Sequence, residues 1–346
     1  MKSEKVDLVV HNATIHSIDG GMQTFEAMAI RDGKIVELGP EREILNHYDA
    51  AEFIDAKKKH IYPGLTDGHG HILSLAEMML SVNLFGCPSM EDLIQRTKDY
   101  QKKNNRAFIV GRGWDQSLWG EENLPSNKEL NEAFPSTPVC LFRVDGHAAI
   151  ANDAALKLAG IDTSTGIDGG VFVKSKGQLT GLLVDNAMEL MNDIIPDFSQ
   201  EEMLATFNKI QDELFEYGIT SIHEAGINND KLPLFEAWNK SGKMNLDIYG
   251  MLTHSEENME LAKKGHFSIG SLHVRSFKMY ADGALGSRGA LLKDEYHDDH
   301  GNLGILTTEL DEMENLAAFC LEYNFQLNSH AIGDSANKIL LDLYKM

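Results

Sequence analysis

Cysteine is scarce in this chain: Cys87, Cys140 and Cys320 are the only three, odd in number and far apart in 346 residues. No Cys-x-x-Cys pair is present, so neither a structural zinc site nor a dithiol redox motif is suggested. Reduced thiols in a cytosolic protein are the expectation. Basic charge is also short, with 31 Lys and Arg against 53 Asp and Glu and a net charge of −22. That balance argues against sequence-independent nucleic-acid binding, which needs cations to neutralise phosphates. It leaves the substrate open, because overall charge speaks to solubility and steering rather than to a pocket. Long apolar runs are missing as well. Nothing is long enough to span a bilayer, and Met1-Lys2-Ser3-Glu4-Lys5-Val6-Asp7 lacks the apolar core of a signal peptide. These absences predict a cytoplasmic protein with no nucleic-acid partner and no membrane partner; a small-molecule substrate is the expectation of the motifs taken up below. Whether it forms a homo-oligomer is left open.

What is present is an ordinary soluble composition, 42% apolar and 24% charged, with length for one large domain or two. The stretch from His60 to Leu75 organises the rest. It reads as a short buried strand, Ile61 to Thr66, leading into His69-Gly70-His71. Residues i and i+2 on an extended backbone point the same way. The two imidazoles therefore project together and can grip one metal ion, imidazole being a common zinc ligand. Gly68 and Gly70 leave the backbone thin and free to take unusual angles. The competing interpretation is a polar loop after a strand.

Tyr62-Pro63-Gly64-Leu65-Thr66-Asp67-Gly68-His69-Gly70-His71 resembles the signature that opens the barrel of the amidohydrolase superfamily. Three later segments follow in the expected order: Gly218 to Gly226, Phe277 to Arg288, and Ser329 to Asp334. They are similar to the YtcJ-like branch, which includes N-substituted formamide deformylases. The resemblance covers nearly the whole chain. It implies a TIM-like (β/α) barrel of the metal-dependent hydrolase type, a small N-terminal β-sandwich part and an α+β insertion.

The pattern along the chain agrees. Val6 to Val10, Thr14 to Ile18, Ala27 to Arg31, Lys34 to Leu38 and Phe53 to Asp55 are short strand-like runs, with Asp32-Gly33 a hairpin turn. Residues 1–60 are thus the sandwich part, and 61–74 carry the first barrel strand and the His-x-His. Residues 75–199 form the insertion. Its expected elements are a helix over Met90 to Lys103, strands at Phe108 to Gly111 and Val139 to Val144, and a capped helix from Ser126 to Phe134. Asn152 then caps a helix from Asp153 to Ala159, and a hairpin runs from Gly169 to Leu183. From 200 to 346, a helix with a Ser199/Glu202 capping box precedes strands at Ile219 to His223, Leu246 to Leu252, Val274 to Tyr280 and Phe325 to Ser329. Helices lie between them. About five barrel strands are countable and a closed barrel needs eight. The chain therefore reads as C-terminally truncated.

Strand alternation places Lys278, Tyr280 and Asp282 on one face. A lysine inside a strand is costly unless paired or modified. Carbamylation by CO₂ would give an anion able to bridge two metals; the alternatives are snorkelling to solvent or pairing with Asp282. Lys278 lies on the fourth strand, where the resembling family has such a lysine. His330 ends the fifth strand, where catalytic residues of β/α barrels collect. The resemblance thus implies His69, His71, Lys278 and His330 as ligands of one or two divalent ions, Zn²⁺ first, with Lys278 and His330 as the catalytic pair. A neutral His330 satisfied by backbone is the alternative.

His223, at the end of the second strand, could line the site, support a ligand or be structural. His147 and Arg143 could reach substrate from the insertion, and Asp282 and Arg288 could line the pocket. Gly283 to Gly289, with Ser287 and Arg288, reads as a flexible loop over it, and His297 and His300 as a solvated loop. The family pattern also expects a sixth-strand His and an eighth-strand Asp as general base, without counterparts before Met346. The sequence therefore points to a metal-dependent hydrolase of a non-peptide C–N bond, amide or formamide. The rival is a non-catalytic metal-binding or degenerate fragment without the general base.

Overall fold

The computed structural model describes residues 4–120, 125–167, 170–285 and 288–345. The chain divides into two compact units, the first running to Thr66 with Gly218–Ser221 added, the second holding the rest.

The first unit contains two small sheets. In one, Lys34–Gly39, Ala27–Arg31, Glu4–His11 and Tyr48–Asp55 lie side by side in that order; in the other, Thr24–Phe25, Thr14–His16 and His60–Ile61. Asp32 and Gly33 both take positive φ at the expected hairpin turn. Ile61 pairs with Ile15 and so belongs to this unit, not to the histidine-bearing strand. Pro63, which has no N–H to donate, separates the two. The strand expected over Ile61 to Thr66 is therefore displaced to Leu65–Gly70. It is also exposed or half-buried rather than buried, since it has a neighbour on one side only among the described residues. A helix at Glu41–His47 was not anticipated.

Five strands stand as neighbours in chain order, in the second unit apart from Leu65, Thr66 and Ile219–Ser221: Leu65–Gly70, Ile219–Ile227, Asp247–Thr253, Leu272–Tyr280 and Gln326–His330. The third, fourth and fifth are parallel in the registered pairs, Thr253 opposite Lys278 and Lys278 opposite Asn328. Helices Gln200–Glu216, Leu232–Lys240, Glu256–Ala262, Leu310–Glu322 and Asp334–Leu343 alternate with strands two to five and follow the last. Their apolar faces meet the sheet in one core around Phe207, Phe235, Trp238, Leu246, Phe277 and Leu316. The Ser199/Glu202 capping box is present at the head of the first of these helices.

The insertion has its own six-stranded sheet, ordered Gly170–Ser175, Gln178–Asp185, Ala148–Ala151, Val139–Arg143, Ile109–Trp114 and Val82–Asn83. The hairpin turns at Lys176-Gly177 as expected, both with positive φ; Gly169 lies outside the described residues. The helix expected from Ser126 begins at Lys128, and its first turn carries no side-chain cap. Asn127 instead donates to the Ala151 carbonyl and the Asp153 carboxylate. Asn152 does cap its helix, accepting from Ala155 N–H, and does more. The same amide accepts from Val139 N–H and donates to the Phe134 and Thr137 carbonyls, each at 2.8–2.9 Å. Fully buried, it joins a helix start, a strand and a loop.

Replacing a buried amide that makes four such bonds leaves several backbone groups unpaired. Asn152→Ala should therefore cost about 3 kcal/mol or more in denaturant unfolding, against about 1 kcal/mol for Ser199→Ala, where a single cap is lost.

Candidate active site

The first strand delivers the histidines to the C-terminal edge of the parallel sheet. The His69 and His71 rings lie with centroids 5.3 Å apart, as the i, i+2 spacing requires. His71 is the residue preceding the helix Ile72–Leu80, and its side chain makes no cap bond there. The glycines between act differently from the expectation. Neither Gly68 nor Gly70 has positive φ, so unusual angles are not what they supply. A Cβ on Gly70 would meet Ile222 of the second strand at 2.3 Å, whereas one on Gly68 would meet nothing within 4 Å. Gly70 is there for close approach.

Lys278 lies opposite Thr253, the last residue of the third strand, and so near the same sheet edge. It is 5% exposed. Its Nζ stands 5.1 Å from the centre of the Tyr280 ring, on the face that strand alternation assigns to both. Among the described residues it has no carboxylate partner, so neither snorkelling nor pairing with Asp282 describes it. Burial pulls its pKa down. Asp282 is otherwise engaged, accepting from Leu291, Ile332 and Gly333 N–H at 2.7–2.9 Å. His330 ends the fifth strand directly across from Tyr280, with ring centroids 5.5 Å apart. Its Nε2 is 3.8 Å from Asp282 Oδ1.

His71 ties the two edges together electrostatically. Burial, then the charges of His69 and Lys278, hold its imidazole below the ordinary histidine range. A neutral imidazole presents a free lone pair. Among the described residues no third His, Cys, Asp or Glu joins the pair to make a ready cluster. The donor chemistry nonetheless fits a divalent ion if Lys278 contributes. Two exposed imidazoles lie 5.3 Å apart, one of them within the field of buried Lys278, and carbamylation of the neutral Lys278 amine would make it an anionic oxygen donor.

The remaining candidates are dispersed. His223 is mid-strand, because the second strand runs on to Ile227, and its ring packs 4.9 Å from that of Tyr249. Arg143 is held within the insertion by Asp115, Asp145 and Gln116. His147 follows it, its backbone N–H donating to Asp145. Arg288 pairs with Asp298 at 3.1 Å, while Ser287 lies outside the described residues. His297 and His300 sit in the segment expected to be a solvated loop, His300 largely exposed. Sequence reading passed over Glu224, 1% exposed, whose carboxyl accepts from the Ile72 and Leu73 N–H groups. Burial pushes it up to about 7, against the downward pull of those two bonds. Its only sequence signal is an acidic residue within an apolar strand.

The description "Amidohydrolase family" matches residues 52–344. The chain is 29% identical to the YtcJ protein of Bacillus subtilis (strain 168), over 92% of this chain and 62% of that protein. It is 23% identical to the N-substituted formamide deformylase of Arthrobacter pascens, over 98% of this chain and 66% of the enzyme. The chain thus spans under two thirds of the length of these relatives. Among solved structures, an uncharacterized metal-dependent hydrolase from Pyrococcus horikoshii superposes with a TM-score of 0.80 at 27% identity. That match covers 98% of this chain and 68% of the other.

Two measurements check the local physics. Gly70→Ala should lose about 1–3 kcal/mol to overpacking against Ile222, while Gly68→Ala stays within about 0.5 kcal/mol of the parent. For Glu224, a folded pKa above the unfolded one makes its contribution complete below the unfolded value and lost as pH rises through the folded value. Between about pH 4.5 and about pH 7.5 the parent should therefore lose on the order of 3 kcal/mol relative to Glu224→Gln. Parallel urea titrations across that range give the difference.

Proposed function

Because this chain belongs to the amidohydrolase family, we propose that it is a metal-dependent hydrolase that cleaves a non-peptide C–N bond, of the amide or formamide class. The observation that carries this reading is Lys278, buried beside His69 and His71 without an anion. In the proposed fold the five neighbouring strands are the first five of a (β/α) barrel.

His69 and His71 would hold one ion, the Lys278 carbamate would bridge, and His330 would hold a second. A divalent ion, Zn²⁺ by preference for nitrogen donors, supplies Lewis acidity when bound, lowering the pKa of water and polarising a carbonyl. The chain's own residues prepare for it. Burial raises the neutral fraction of Lys278, whose Nζ then adds to the carbon of CO₂ and releases one proton to solvent, leaving an N-carboxylate. Asp282, fixed by three N–H donors, stands 3.8 Å from the His330 imidazole and would favour its cationic or N–H-donating form. Tyr280, adjacent to both Lys278 and His330, keeps water from the lysine stem. His147, His223, Arg143 and Arg288 are the residues through which substrate contact would come. The formamide class is suggested by the likeness to the Arthrobacter deformylase. Ester or deaminase chemistry uses the same activated water.

A second reading has an observation of its own. Among the described residues near His69, His71, Lys278 and His330, the carboxylates Asp282 and Glu224 are both committed to backbone N–H groups. Asp67, whose Oδ1 accepts from His69 N–H, is the remaining carboxylate beside the pair; on this reading it does not serve as general base, and the chain binds metal without turnover.

Purified chain should take up Zn²⁺ after chelator treatment and dialysis, more fully with bicarbonate present. The His69→Ala/His71→Ala double variant should bind at least about tenfold more weakly, and Lys278→Ala should lose the bicarbonate effect. Hydrolysis of an N-substituted formamide favours the enzyme reading, and uptake without hydrolysis favours the second. Absence of any stoichiometric uptake overturns both.

A further inference from the structure

His71 stands in an unusual place for a metal ligand, immediately before the first turn of a helix. The first N–H groups of a helix have no partner within it, and the residue at that position normally accepts from one of them. Serine, threonine or aspartate serves there because a short oxygen-bearing side chain folds back onto the helix. The His71 side chain does not do this.

The orphan groups are satisfied from elsewhere. Glu224, on the second strand and 152 residues further along the chain, accepts from Ile72 N–H, and its other oxygen lies 3.4 Å from Leu73 N. The carboxyl is almost wholly buried, and its two oxygens lie at the first N–H groups of the helix. Two residues earlier on the same strand, Ile222 closes over Gly70 so tightly that no Cβ fits. Residues i and i+2 of a strand share a face. The second strand therefore grips the segment at two points, Ile222 on Gly70 and Glu224 on Ile72 and Leu73, with His71 between them.

We propose that Glu224 is a positioning residue: by capping the helix in place of His71, it frees that imidazole and fixes the backbone on its C-terminal side for metal binding, as Ile222 does on the other. The proposal rests on the reading of His71 as a metal ligand. Glu224 does not itself reach the metal, since both its oxygens are directed at backbone N–H groups. The buried carboxyl, costly on its own, is thereby given a function that a Ser or Asp at position 71 could not perform without losing a ligand.

The test uses the full chain with Glu224→Ala and Glu224→Gln, loaded with Co²⁺, whose visible absorption reports ligand geometry. Amide exchange at Ile72 and Leu73 is read on the metal-free protein. Glu224→Ala should exchange faster at both amides, bind Co²⁺ about 10–100-fold more weakly and show an altered visible band. Glu224→Gln, which keeps one acceptor oxygen, should recover part of the affinity and of the band. Asn152→Ala, destabilised but remote from these contacts, should keep the parent's affinity and spectrum. A folded Glu224→Ala with parental Co²⁺ affinity and spectrum overturns the positioning role while leaving the metal reading intact. If Glu224→Ala does not fold, parental affinity in Glu224→Gln has the same force. Failure of the parent itself to bind Co²⁺ overturns the metal reading and this proposal with it.

Discussion

A cation that has been taken out of water without an anion beside it is the constraint on which this site turns. Lys278 reaches its position because the strand Leu272–Tyr280 is packed on its other face by Phe277 and Met279, both essentially inaccessible. The same packing that stabilises the sheet forces the lysine into a poor dielectric, where the ammonium is disfavoured. Among the described residues no anion on the neighbouring strands offsets it: Thr253 and Asn328 are the residues registered across from it. The two acids at this edge are each bound to backbone. The packing thus leaves Lys278 without a carboxylate partner among the described residues, its pKa drawn down by burial and its charge felt at His71.

Glutamate and aspartate here serve the backbone rather than the cavity. Glu224 completes a helix that begins at the metal-ligand candidate, and Asp282 gathers three N–H groups from two segments. Each carboxylate is a rigid connector between strands that lie next to one another but are far apart in sequence. Side chains held in this way give a site its precision, because the supporting group cannot rotate without breaking several bonds at once.

Most of the architecture was legible in the sequence because it is written in local patterns. The five neighbouring strands, the helices between them, the Ser199/Glu202 capping box and the Asp32-Gly33 turn all follow from periodicity and turn chemistry. The pairing of His69 with His71 follows from strand alternation. What escaped was nonlocal or interrupted. Ile61 was assigned to the wrong strand because the apolar run crosses Pro63-Gly64 without a change in hydropathy. Gly70 was credited with backbone freedom, though its reason is the Ile222 side chain arriving from another strand. Glu224 gave no sign of its role, since its partners are main-chain amides that carry no residue identity.

Asp282 also settles how the rim of the sheet can move. Its carboxylate holds Leu291, from the segment that follows the fourth strand, and Ile332 and Gly333, from the segment that follows the fifth. Leu291 in turn accepts through its carbonyl from Ser335 N–H, at the head of the last helix. The two segments are therefore mechanically one body. Parting them would mean breaking the Asp282 bonds together with the Leu291–Ser335 bond and the bond from Lys293 N–H to Asp334, so the two segments are built to move as one.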